Sequence, residues 1–256
     1  MSRRIENTSV DPRIANPPTQ INKQKLNYGQ FNRLKKQHSA MTENQQYIHD
    51  CISNAVTMGF MSDDDIKEMT LEQVEGEEMQ DEISEEWIND MVDQKFSELR
   101  ANSKSWSKPT DTERLAVAFD NLCKRKIVAL HNAGYTTSDG ESEVIEVERE
   151  LRKNGIVSDG YCFYHEQDLE RAIDPEDRSL WIAYQKVNNE DESVTLEVGR
   201  IVTEELRKQG FTVNWDDDVN EKIEVQNVNW QKLYDENEDA FDHWRVIGIM
   251  VGEKKS

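Results

Sequence analysis

The chain reads as an α+β protein: a helical N-terminal region, then a ferredoxin-like antiparallel sheet with its helices on one face. Three observations predict it. Apolar residues recur at helical spacing as far as Leu122, and from Lys126 onward they gather into short runs rich in β-branched and aromatic residues. Two strand–helix–strand segments then follow in tandem. Their helices end in nearly the same string, ELRKNG at 150–155 and ELRKQG at 205–210. That is the pattern of a duplicated βαβ unit, although such strings also arise wherever amphipathic helices end.

Residues 1–40 are polar, with NPP at 16–18, and hold eight Lys/Arg against Glu6 and Asp11. They are expected to form a disordered basic tail. Residues 41–105 are expected to be an acidic helical region. Thr42 can cap a helix reaching Phe60, in which Ile48, Cys51, Ile52, Val56 and Met58 recur at helical spacing. Ser62 caps a second, whose Asp63, Asp64 and Asp65 suit the positive end of a helix dipole. A third runs from Ile83 to Ala101, where Trp87/Ile88, Met91/Val92, Lys95/Phe96 and Leu99 make one stripe. Fifteen carboxylates fall within 63–98, a density that usually marks a solvated helix face.

Residues 106–256 are the expected α/β core with a C-terminal extension. Thr110 and Glu113 make a capping box for a fourth helix, with Leu115, Phe119 and Leu122 inward. KIVALHNAG reads as a strand, and the following helix is ended by Gly155, which suits a left-handed position. GYCFYH is a strand, EQDLERAI a short helix and SLWIAYQKV a strand. The next helix stops at Gly210, and FTVNWD with KIEVQNVNW makes a hairpin. The tail YDENEDAFDHW adds a helix and RVIGIMVG an edge strand.

Charge and composition exclude several classes. The formal net charge is −21, and residues 1–40 carry +6 of it, so the remainder carries −27. Such a body repels phosphate backbones, which leaves nucleic acid only a weak contact through residues 1–40. No window approaches the roughly 18 apolar residues of a membrane span, and the basic start has no apolar core behind it, as a secretory signal would. Cys51, Cys123 and Cys162 are too few and scattered for a disulfide framework or a zinc site, so a reducing cytoplasm is expected and no cofactor or metal.

The chemistry-bearing candidates sit at strand ends. On a strand, Cys162 and His165 point to opposite faces, so they make no dyad, and Cys162 is expected to be a small core residue. His131 and His165 each end a strand where polar groups gather. With Asp139 and Asp168 they can build a general base or metal site. The structural alternative is that Ser138 or Asp139 and Asp168 cap helices. Asn132, Tyr161, Trp181 and Trp215 are the candidate binding residues, on or beside the sheet. WDDDVNEK at 215–222 lacks the Gly and distal Glu of a calcium loop and reads as a turn.

The strings TDTERLAVAFDNLCKRKIVALHNAGYTTSDG, GYCFYHEQDLERA, LWIAYQ and VGRIVTEELRKQGFTVNWDDDVNEKI carry a resemblance. Over about residues 110–231 the chain resembles a bacterial family defined as a domain of unknown function. It departs from that pattern at Asp217, where the family often has Gly. The resemblance implies a soluble bacterial protein and no reaction. The expected function is therefore a non-enzymatic, acidic, cytoplasmic binding or regulatory protein, inhibitor- or immunity-like, with a basic protein as partner. The alternative is a hydrolytic or metal-assisted enzyme using His131, Asp139, His165 and Asp168.

Overall fold

Thr42, Ser62, Ser84 and Thr110 each accept a hydrogen bond from a free backbone N–H three residues on, and each opens a helix. These are α1 (Glu43–Met58), α2 (Asp63–Gly76), α3 (Glu85–Ser103) and α4 (Asp111–Lys124). The computed structural model describes residues 41–252; the disordered-tail reading of 1–40 lies outside the described residues. The first three helices bury their stripes against each other, around Ile48, Ile52, Ile66, Ile88, Val92 and Phe96. Met58, at the end of α1, belongs instead to the core under the sheet, and its carbonyl accepts from the Trp230 indole N–H at 3.1 Å.

The second part begins with β1 (Ile127–Leu130), α5 (Thr137–Lys153) and β2 (Gly160–Phe163). Then come α6 (Glu166–Ile173), β3 (Leu180–Gln185), α7 (Glu192–Lys208), β4 (Thr212–Asn214), β5 (Ile223–Gln226) and α8 (His243–Val251). The fold is α+β with a helical N-terminal part, as expected. The sheet is mixed, not antiparallel, in the order β1-β2-β3-β5-β4. The α5 crossover returns the chain to run β2 parallel to β1, while the remaining pairs are antiparallel. The second strand–helix–strand segment also places β4 parallel to β3, but β5 lies between them. The two segments are therefore not interchangeable, and the order is not the ferredoxin-like one.

Helices cover both faces rather than one. A β-carbon added at Gly140 of α5 would meet the Phe163 ring at 2.3 Å, and one added at Gly160 would meet Val198 of α7 at 2.4 Å. Phe163 and Gly160 alternate along β2, so α5 and α7 lie on opposite sides. This is why β1 and β2 are buried along their whole length. Both helices end alike. Gly155 (φ 74°) and Gly210 (φ 84°) take the left-handed conformation. Gly155 N–H donates to Arg152 and Ile156 N–H to Leu151, and the Gly210 and Phe211 N–H groups repeat the pattern on Arg207 and Leu206.

The expected edge strand RVIGIMVG is the helix α8. Asp242 caps it by accepting from Trp244 N–H at 2.8 Å, and Arg245 forks onto both carboxylate oxygens of Asp120 at 2.8 and 2.6 Å. That anchor on α4 holds the apolar run beside β1 with its own backbone bonds closed. An alternating β-branched string here lost to a cap and a bidentate ion pair.

Candidate functional site

His165 follows β2 in extended conformation and serves as the N-cap of α6. Its Nδ1 accepts the Asp168 N–H at 3.3 Å, while the Asp168 carboxylate accepts the His165 N–H at 3.3 Å. The ring's Nε2 lies 3.1 Å from Asp168 Oδ2, 3.1 Å from the Thr137 hydroxyl at the start of α5 and 2.9 Å from Lys222 Nζ. Burial lowers the His165 pKa, opposed by Asp168 and helped by Lys222. Lys222 Nζ bonds both Asp168 oxygens at 2.9 and 2.8 Å. The result is an enclosed His–Asp–Lys cluster in which the histidine is satisfied as a cap.

Asp139 lies near enough for its charge to act on His165. Its own bonds are local: the Thr136 N–H and hydroxyl donate to it at 2.9 and 2.8 Å, which lowers its pKa. It completes the first turn of α5. Asp139 and Asp168 thus take the capping positions that the structural alternative foresaw.

His131 stands elsewhere. It stacks on Phe119 of α4 at 4.3 Å between ring centres, meets Phe241 edge-on and bonds the Tyr164 hydroxyl at 3.1 Å. Its surroundings belong to the α4 and α7 side of the sheet, whereas His165 rests against the start of α5 on the other. Burial holds His131 well below the ordinary histidine range, and the nearby His243, Lys232 and Arg245 push in the same direction. The four-residue constellation therefore does not converge: His165 and Asp168 meet, Asp139 is their neighbour, and His131 faces away. Among the described residues no three His, Cys, Asp or Glu side chains are grouped to hold a metal ion.

The binding candidates also divide. Tyr161 is buried, stacks over Phe163 at 6.0 Å, and has its pKa raised to about 12 by burial. Trp181 lies half-buried across from Glu224, its indole N–H without a partner among the described residues. Asn132 holds a left-handed φ of 46°, its side-chain oxygen likewise enclosed and unpartnered. Trp215, on the turn after β4, donates to the Tyr184 hydroxyl at 3.0 Å and to the Asp218 carbonyl at 3.1 Å. It lines an open groove of about 460 Å³ along α7. Asp218 caps Asn220 N–H at 2.9 Å, so the Asp-rich string is a turn. Cys162 is fully enclosed, and burial raises its thiol pKa well above the usual value.

Lys222, Thr203 and Arg207 escaped the sequence reading. Lys222 could be found only by knowing that β5 pairs with β3. The α7 residues were legible in principle, because Arg200, Thr203, Glu204, Arg207 and Lys208 recur at helical spacing.

A family model described as a domain of unknown function, DUF6891, matches residues 41–234. No curated protein and no solved structure matches the chain.

Proposed function

Because the chain belongs to that DUF6891 family, whose description assigns no reaction, we propose from its physical features that it is a non-enzymatic binding or regulatory protein for a basic protein partner. The carrying observation is the surface of α2, α3 and the turn between them. Of the fifteen carboxylates in 63–98, fourteen are exposed. Among the described residues only three meet a cation: Asp63 and Asp93 on Lys67, and Glu98 on Lys95. A concentrated field of one sign speeds encounter with a basic surface and disfavours acidic ones. An inhibitor- or immunity-like role fits that chemistry.

The enzyme alternative is less well supported, since His131 stands apart and the remaining groups already bond one another. The test is affinity capture at two salt concentrations with the natural chain and with Glu72, Glu75, Glu78 and Asp81 changed to Gln or Asn. A basic protein retained by the natural chain at low salt and lost by the variant, with circular dichroism unchanged, is the expected outcome. Equal retention by both would defeat the reading.

A further inference from the structure

The geometry points to a second, small-molecule site: the groove between α7 and the β4–β5 turn takes an anion that joins a phosphate group to a planar ring, as nucleotides do. In a strongly acidic chain, this groove gathers cations. Arg200, Arg207 and Lys208 all line it. Its two carboxylates pair with two of them, Glu204 with Lys208 at 2.8 Å as well as with Arg125 at 3.1 Å, and Asp217 with Arg200 at 2.9 Å, which leaves Arg207 without a carboxylate partner among the described residues.

Arg207 is the focus. Its only side-chain hydrogen bond among the described residues runs to the Val213 carbonyl at 3.1 Å, and no carboxylate there lies within ion-pair distance. A guanidinium has five N–H donors in a fork that matches phosphate. Arg200 and Arg207 are seven residues apart, about 10 Å along a helix, the length of an extended nucleotide rather than of a lone phosphate.

Two further features fit such a ligand. Thr203, between the arginines on the same helical face, is only 3% exposed, and its hydroxyl finds no partner among the described residues. An enclosed hydroxyl without a partner costs stability, and a phosphate oxygen would supply one. Trp215 has spent its N–H on Tyr184 and Asp218, so it offers the groove only ring surface, on which a planar base can stack. Gly199 makes this possible, since a β-carbon there would meet the indole at 2.6 Å.

Calorimetric titration of the full chain with ADP, adenosine and pyrophosphate tests the site. ADP should bind and raise the melting temperature. Adenosine and pyrophosphate should each bind at least about tenfold more weakly, a difference of about 1.4 kcal/mol. Arg207→Gln should weaken ADP by a similar factor. Thr203→Val should weaken ADP while leaving the melting temperature of the free protein equal or higher, a result that a merely structural role would not give. Absence of ADP binding, adenosine or pyrophosphate as tight as ADP, or ADP affinity unchanged in Arg207→Gln would overturn the proposal.

Discussion

The helices α5 and α7 end in almost the same six residues and the same backbone turn, yet they live in different surroundings. α5 closes a crossover between adjacent parallel strands, and its Gly140 is pressed on the fully enclosed Phe163 ring. α7 spans a gap that β5 fills, and its Gly199 is pressed on Trp215, which sits half-buried on a turn. Like ends but unlike neighbours show what each level of the chain controls. The cap depends on residues a few positions apart; what the helix covers depends on strands far away.

The sharpest way to break this comparison is to fill both glycines. Ala in place of Gly inside a helix gains about 1 kcal/mol by itself. At Gly140 the new β-carbon falls 2.3 Å from a ring with no room to move, so overpacking of up to about 3 kcal/mol should leave a net loss of about 2. At Gly199 the new β-carbon would meet the half-buried indole at 2.6 Å and the Tyr184 ring at 2.8 Å, both nearer the surface than Phe163, so Ala should cost less there, about 1 kcal/mol or under. Chemical denaturation of the two variants decides it; equal losses would mean the groove side is as rigid as the buried side.

Acid should strike the first segment harder. Burial lowers the pKa of both His131 and His165, so the native state binds fewer protons than the unfolded chain. Stability is then intact above the unfolded value of about 6.5 and is lost as pH falls below it. For His131 the loss should be on the order of 1 kcal/mol over the first pH unit below that value. Thermal melts across this range, with His131→Phe, check it: the variant is expected to be less stable at pH 7.5 but flatter with pH. An unchanged slope would show that His131 is not the titrating group.

Gly155→Ala and Gly210→Ala should each cost about 1 kcal/mol, the penalty for a left-handed β-carbon. Unequal costs would show that the shared string does not make a shared cap. The smallest effect is expected at Asp217, which holds φ 68° while pairing with Arg200. Asp217→Gly relieves the backbone and loses an exposed ion pair, so the melting temperature should rise slightly or stay put. A fall of several degrees would show that the pair matters more than the backbone.

The features legible in the sequence were those closed by short-range bonds. Thr42, Ser62 and Thr110 cap helices, and Gly155 and Gly210 stop them, because each needs only neighbours within six positions. Strand order was not legible, because inserting β5 between β3 and β4 leaves no local mark on any of the three. The helix α8 is hidden in the sequence for a similar reason: VIGIMV has strand chemistry, and its fate is set by Arg245 reaching Asp120, 125 residues away. At the candidate site, alternation correctly separated Cys162 from His165. It could not separate His131 from His165 without the β1–β2 register. Lys222 was invisible until β5 found its neighbour.

The position of β5 has a consequence for how the chain is built. During synthesis, the first segment can close once Phe163 is available, since β1 and β2 pair directly. The second cannot: β3 and β4 share no hydrogen bonds and wait for residues 223–226. Until then β3 presents an open edge, the surface through which partly made sheets join wrong partners. The last strand is therefore the latch of the sheet, and a nascent chain halted before Ile223 should be the most aggregation-prone species this protein passes through.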